Sequence, residues 1–409
     1  MRLIIKITGI DSLTRTEFGY ILIYLVTFVP LIYKFVTPFL ILTGLGKLGV
    51  FVTPSMLWIG VCFVFGNLKE YIDTKYIIGF LLFAILVLIY GIVNQKNDSF
   101  FDENYIPFIT KIAPFFFIGL SIDPIQREDI LAFIAKTGIL VQTFWLFCQL
   151  SGLAKVELAA DGSLGEQMRQ SYDFLVSVLL QFMVTIKKKN MINLIFLVLG
   201  VFIVFLLGTR GPVIILSIYI CLYALFIHQY EERGVFKRVL TIIALALLYT
   251  FLDVIIMVFM PFAEMLGFST RVFDSILGQR IVDINESSGR DAFYECIINA
   301  IRSDNSMLGY GWGGDRLFTP TGAYAHNFIL EILCQFGVII GGLLLIWLII
   351  IFIKSFIISK RNSSESFWLV LFCAGFIELQ LSQTYINHAL FFVMIGYMLN
   401  CLNHKFSTN

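Results

Sequence analysis

Charge is scarce in this sequence. Asp, Glu, Lys and Arg make up 14% of it, against about 25% in an ordinary soluble domain, so a wholly water-facing globule is excluded. What charge there is nearly cancels, at a formal net +1, which indicates no polyanionic partner for the chain as a whole, nucleic acid included. The seven cysteines (62, 148, 221, 296, 334, 373 and 401) are scattered and form no Cys-x-x-Cys, so neither a disulfide framework nor a zinc site is indicated. No Asp-x-Asp pair occurs, which argues against a metal-dependent nucleotide-sugar transferase. The N-terminus lacks a small-residue cleavage site after its first apolar run and does not read as a cleavable signal.

What the chain has instead is apolar length. Hydrophobic residues make up 58%, and runs of about 18 or more recur, each able to cross a roughly 30 Å hydrocarbon layer. They are too long and too continuously apolar for barrel strands, so they are helices. The expected fold is an all-α integral membrane protein of about twelve transmembrane helices. Spans are expected near 18–42, 51–66, 77–93, 105–122, 130–152, 170–186, 191–208, 212–228, 239–260, 326–353, 367–383 and 389–402. Every second connection carries a basic cluster, such as Lys187, Lys188 and Lys189 or Arg233, Lys237 and Arg238. The positive-inside rule puts these clusters and both termini in the cytoplasm of a multi-pass protein.

The expected organisation is a membrane body over 1–260, a hydrophilic loop over 261–325 on the outer face, and a three-span segment over 326–409. The loop holds five arginines (271, 280, 290, 302 and 316) and no lysine. Arginine suits bidentate contacts with phosphate or carboxylate; pairing with the loop's own eight acidic residues is the alternative. Ser288 and Asp291 resemble a capping box. After them Ala292, Phe293, Cys296, Ile297, Ala300 and Ile301 recur at helical spacing. The spacing predicts an amphipathic helix near 289–302, with Arg290, Tyr294 and Arg302 on its other stripe. The glycine-rich LGYGWGGDRLF at 308–318 lets backbone approach a ligand closely or serves as a flexible return. It is no P-loop, since no Lys-Ser/Thr follows.

Two further stretches carry polar groups to the edge of apolar runs. LLGTRGPVIIL at 206–216 places Arg210 at a turn on the outer face, against the positive-inside bias, which makes it a functional candidate or a snorkelling marker of the turn. GAYAHNFILEILCQFGVIIG at 322–341 places His326, Asn327 and Glu331 at the mouth of a span.

The TRGP turn, GRDAFYECIINAIRSDNSMLGYGWGG and GAYAHNFILEILCQFGVIIG together resemble the O-antigen polymerase and O-antigen ligase superfamily. The likeness is specific over about 285–345 and looser around 206–216. It implies an inner-membrane enzyme with a large periplasmic loop before its last spans, similar to the C-class glycosyltransferases. It also implies undecaprenyl-diphosphate-linked oligosaccharides as donor and acceptor, no metal and no cofactor. A chain-length regulator and a flippase are the protein partners it suggests. By the resemblance Arg210, Arg290 and His326 hold functional positions; it carries less to Arg302, Glu331 and Tyr294, which vary in the family.

The chemistry of these residue types agrees. A polyprenyl diphosphate leaving group is already a good anion, so it needs charge stabilisation, which two guanidinium groups supply. The acceptor hydroxyl benefits from a positioned base, and an unperturbed imidazole titrates near about 6.5, which fits His326 to that role. Glu331 lies one turn past Asn327 on a shared face and is either a support or the alternative base. His326 and Glu331 project about 140° apart on a regular helix, so direct contact requires an irregular start near Ala325. The expected activity is polymerisation of lipid-linked repeat units into O-antigen, capsule or exopolysaccharide by inverting transfer at the periplasmic face. Ligation of glycan to lipid A core is the first alternative. A secondary transporter of about twelve spans is the second, although no internal repeat supports it.

Overall fold

The structure, a computed structural model, describes residues 74–93, 98–113, 115–122, 128–150, 165–207, 210–227, 290–302, 307–319 and 322–403, with a few isolated positions between 243 and 265. Among these residues every regular element is helical. In chain order they are α1 (Thr74–Val93), α2 (Asp98–Pro107), α3 (Phe115–Ser121), α4 (Glu128–Leu150), α5 (Gly165–Lys187), α6 (Met191–Leu206) and α7 (Arg210–Phe226). There follow α8 (Arg290–Arg302), α9 (Phe328–Phe336), α10 (Gly342–Arg361), α11 (Glu365–Phe372), α12 (Glu378–Leu381) and α13 (Ala389–Asn403). Among the described residues, three helical stretches are long and apolar enough to cross a membrane: Thr74–Ile92, Glu128–Phe147 and Phe328–Arg361. The runs at 191–206, 211–226 and 389–403 are apolar but shorter. The spans expected at 18–42, 51–66 and, but for isolated positions, 239–260 lie outside the described residues, as does the Ser288 cap.

Three of the expected continuous spans are interrupted. The 105–122 run breaks into the end of α2, a π-helical turn at Phe108–Ile112, and α3. The run beginning at 326 is interrupted by a second π-helical turn at Gly337–Gly341, where α9 gives way to α10. The 367–383 run is interrupted by a third, at Cys373–Ile377 between α11 and α12.

The described residues fall into two compact units. One is a bundle of α4, α5, α6, α7 and α11. Its α5–α6 turn is a polar knot: Gln181 Nε2 donates to the Asn193 carbonyl at 2.8 Å and Asn193 Nδ2 to the Lys188 carbonyl at 3.0 Å. Asn190 caps α6 by accepting from the Ile192 amide. Gly200 lets α6 pack closely, since a Cβ there would lie 3.1 Å from Val178 Cγ2 and 3.2 Å from Ile139 Cδ1.

The other unit holds α1, α2, α3, α8, α9, α10, α12 and α13. Its tightest pairing crosses α3 and α13 at two glycines: a Cβ on Gly119 would strike the Val393 carbonyl, and one on Gly396 the Phe116 carbonyl. Such small-residue crossings let helix backbones touch where apolar side chains alone would hold them apart. Asn400 Nδ2 tethers the pair by donating to the Ile122 carbonyl at 2.6 Å.

The end of α9 organises the rest of this unit. A helix leaves its last carbonyls without intrahelical donors. Here the Tyr310 and Gly311 amides supply them, donating to the carbonyls of Cys334 and Gln335 at 2.9 and 3.0 Å. The approach works because Gly309 and Gly337 face each other with φ of 74° and 75°, and a Cβ on either would strike the other's backbone. The glycine-rich stretch therefore approaches protein backbone. Trp312, 2% exposed, anchors it among the rings of Phe100, Phe101, Tyr105 and Phe108.

Gly337→Ala is expected to destabilise this unit, because Gly337 combines positive φ with ψ of 170°, a region open essentially to glycine at a cost of about 1–3 kcal/mol to other residues. Gly342→Ala, with open space around its Cβ, is expected to be neutral or slightly stabilising. Thermal unfolding of the detergent-solubilised protein distinguishes the two.

Candidate active site

The mouth of α9 is built from the loop that precedes it. Residues 290–302 form the expected amphipathic helix, α8, with Ile297 and Ala300 buried and Ala292, Glu295, Asn299 and Arg302 exposed. Its buried face packs with Tyr310, Ala325 and Cys334 into one core, and the Tyr310 hydroxyl donates to the Ala300 carbonyl at 2.9 Å. Arg302 stands exposed at the C-terminus of α8, where a cation suits the helix dipole.

His326 has an unusual backbone. Its φ is +51°, in the left-handed region that few non-glycine residues occupy. The residues around it hold this conformation. The Tyr294 hydroxyl donates to the His326 carbonyl at 3.3 Å. Asn327 then caps α9, its side chain accepting from the Leu330 amide at 3.1 Å. The imidazole lies between Tyr324, with centroids 4.1 Å apart, and Phe293, nearly parallel at 6.2 Å. Tyr324 is itself tied down, its hydroxyl donating to the Ser382 carbonyl.

Glu331 points elsewhere. It is fully buried, and its Oε1 accepts from the Thr384 hydroxyl and, at 3.3 Å, from Gln335 Nε2. Arg316 Nη1 lies 4.0 Å from the same oxygen. His326 is not among the hydrogen-bond or ion-pair partners of Glu331. Its second oxygen, Oε2, is buried and has no hydrogen-bond donor among the described residues.

Between the two lies Asp315, also fully buried. Its Oδ2 accepts from the Ala325 amide at 3.0 Å, and its Oδ1 from Gln335 Nε2 at 2.7 Å and Arg316 Nη1 at 3.1 Å. The Gln335 Oε1 accepts from the Tyr385 hydroxyl at 2.6 Å. Burial pushes the Tyr385 hydroxyl well above its ordinary pKa, with the nearby Glu331 and Asp315 carboxylates adding to the rise. Tyr385 therefore stays a donor at any physiological pH. The Arg316 guanidinium stacks 4.1 Å above the Phe100 ring, a cation–π contact that helps to offset its desolvation.

Of the sequence candidates, the structure brings Tyr294, His326 and Asn327 together and puts Glu331 one layer below, in the buried cluster. Arg210 and Arg290 open α7 and α8; their side chains lie outside the described residues. Asp315, Gln335, Thr384 and Tyr385 were not singled out in the sequence. Asp315 had a signal, a lone acid beside an arginine in an otherwise uncharged glycine-rich run; Thr384 and Tyr385 had none. Among the described residues, no group of three or more His, Cys, Asp or Glu side chains is placed to hold a metal ion.

Residues 195–347 match the family model described as O-Antigen ligase. Over that segment the chain is similar to the O-antigen ligase and polymerase superfamily, membrane proteins of glycosyltransferase type. Arg210, Arg290, His326 and Glu331 fall inside the matched segment, and Thr384 and Tyr385 beyond it. No match was found among curated proteins or among solved structures.

Removing the Arg316 cation from this cluster is expected to be costly. Arg316→Met leaves the buried Asp315 carboxylate without its cation, an expected loss of about 3–5 kcal/mol. Arg302→Ala at the exposed helix end should stay within about 0.5 kcal/mol. Denaturant or thermal unfolding of the two solubilised variants checks the contrast.

Proposed function

We propose that this protein polymerises undecaprenyl-diphosphate-linked oligosaccharide repeat units into a surface polysaccharide, O-antigen, capsule or exopolysaccharide, at the periplasmic face of the inner membrane. The observation that carries the reading is His326, held in a left-handed conformation at the mouth of an apolar helix within the matched family segment. Strained backbone of this kind persists only where its surroundings over-determine it, and it concentrates at functional sites.

In this reading, a hydroxyl of the acceptor repeat unit attacks the anomeric carbon of the donor sugar from the face opposite the diphosphate. The new carbon–oxygen bond forms as the bond to the phosphate oxygen breaks, which inverts the anomeric configuration. The leaving polyprenyl diphosphate keeps the bonding electron pair. The proton of the attacking hydroxyl passes to His326, acting as general base. Glu331 supports the site from below, within the buried cluster. Arg210 and Arg290 are assigned to the diphosphate. Each begins a helix, and helix N-termini attract phosphate through their free amides and dipole. Tyr294 holds the His326 backbone, and Asn327 acts as the helix cap.

A second reading is transfer of finished glycan to the lipid A core, favoured by the description of the matched family. Deleting the gene separates the two. A single repeat unit on lipid A core indicates a polymerase, and lipid-linked polymer with bare core a ligase. Unchanged surface glycan removes both. His326→Ala is expected to lower turnover on the order of 10²–10⁴-fold, and Glu331→Gln to cost less. The opposite ranking moves the base role to the carboxylate.

The reaction as drawn uses no divalent cation, because two arginines carry the charge of the leaving group. Purified protein with lipid-linked repeat units and excess EDTA is expected to keep its activity. Loss in EDTA with recovery in Mg²⁺ or Mn²⁺ would overturn this part of the mechanism.

A further inference from the structure

Asp315 is the residue the mechanism above leaves unused. It is fully buried, and two of its side-chain hydrogen bonds lead toward His326 and Glu331, while a third joins it to Arg316. Through Oδ2 it holds the Ala325 amide, the peptide unit that enters His326. Through Oδ1 it holds Gln335 Nε2, whose amide also reaches Glu331 Oε1. The Gln335 amide nitrogen carries two hydrogens and directs one to each carboxylate. Its oxygen is fixed on the other side by the Tyr385 hydroxyl. The polarity of the chain Tyr385–Gln335–Asp315–Ala325 is therefore set: a reversed Gln335 would put its oxygen against two carboxylates.

We infer that Asp315 is a positioning residue that sets where His326 stands relative to Glu331, by clamping the Ala325 amide on one oxygen and the Gln335 amide on the other. The inference rests on the reading of His326 as the base. Its physical basis is that the left-handed turn at His326 must be held from both sides. Tyr294 and Asn327 hold it on the C-terminal side. On the N-terminal side the Asp315 carboxylate holds the neighbouring amide, and charge-assisted bonds are the stronger kind. The substitution that tests the clamp keeps shape and changes polarity. Asp315→Asn leaves one oxygen for the Ala325 amide but turns an NH₂ toward the Gln335 NH₂, so the donor–donor clash must break one of the two links.

The test uses full-length protein in nanodiscs with lipid-linked repeat units extracted from the deletion strain. Asp315→Asn is expected to lower kcat on the order of 10²-fold, the scale of a displaced catalytic group, with KM for the lipid-linked unit little changed. In a His326→Ala background the same substitution is expected to cost nothing further, since a residue acting through another is non-additive with it. Wild-type kcat in Asp315→Asn, or penalties that multiply in the double variant, would overturn the inference. If Asp315→Asn does not insert, Tyr385→Phe deletes the hydroxyl that orients Gln335 and is judged by the same double-variant comparison. A readout independent of activity uses ¹⁵N-histidine labelling, which gives few enough ring signals for assignment because the chain has four histidines. The His326 ring signal should move in Asp315→Asn and stay put in Arg302→Ala; an unmoved signal in Asp315→Asn overturns the clamp. Wild-type protein that forms no polymer and transfers no glycan would instead sink the functional reading, and the ring signal would still decide whether the clamp exists.

Discussion

A carboxylate withdrawn from water must be surrounded by donors, and much of the second unit is arranged to provide them for Asp315. Its three bonds come from a backbone amide, a side-chain amide and a guanidinium, and each donor belongs to a different local feature. Ala325 belongs to the loop entering α9, Gln335 to the last turn of α9 and Arg316 to the short 3-10 turn at Gly314–Leu317. An unpaired charge in such an interior costs several kcal/mol, so these features are obliged to meet where they do. Glu331 is drawn into the same arrangement by Gln335 and Arg316, and Thr384 and Tyr385 close it from the other side.

That meeting depends on a helix that stops at the right place. Gly337 ends α9 in a conformation that residues with a Cβ avoid, and the freed carbonyls of Cys334 and Gln335 are claimed by Tyr310 and Gly311. The glycine-rich stretch is thereby laid along the end of α9, which carries Asp315 to Gln335. Trp312 seals the arrangement among four aromatic rings, one of which, Phe100, also stacks on Arg316. Packing, helix termination and charge pairing thus meet over a short stretch of chain.

The placement of His326 follows from the same features. Its ring is held by Tyr324 and Phe293, from the loop and from α8, so the helix expected from spacing alone contributes a wall of the site. Tyr294, a secondary candidate in the sequence, bonds to the backbone of His326, and Asn327 stabilises the start of α9. The buried layer beneath is assembled in part from residues 382–385, outside the segment that matches the family model.

Composition and periodicity alone determined that this chain is helical and apolar enough for a membrane, and that 290–302 forms an amphipathic helix. Both follow from local properties: run length against bilayer thickness, and the 3.6-residue repeat of Ile297 and Ala300. Local sequence also singled out His326 and Glu331 as polar groups at the mouth of an apolar run. It was blind to what separates them. A regular helix through 326 sets their directions by angle alone, whereas the actual chain puts His326 at positive φ before the helix begins and turns Glu331 into a buried cluster. Nor did it indicate that the glycines of 309–313 serve contact with protein backbone, since glycine permits close approach without naming what approaches. Only tertiary structure decided that Asp315, Gln335, Thr384 and Tyr385 belong together, because hydrogen bonds among residues 20 to 53 positions apart form between chain segments that no local pattern relates.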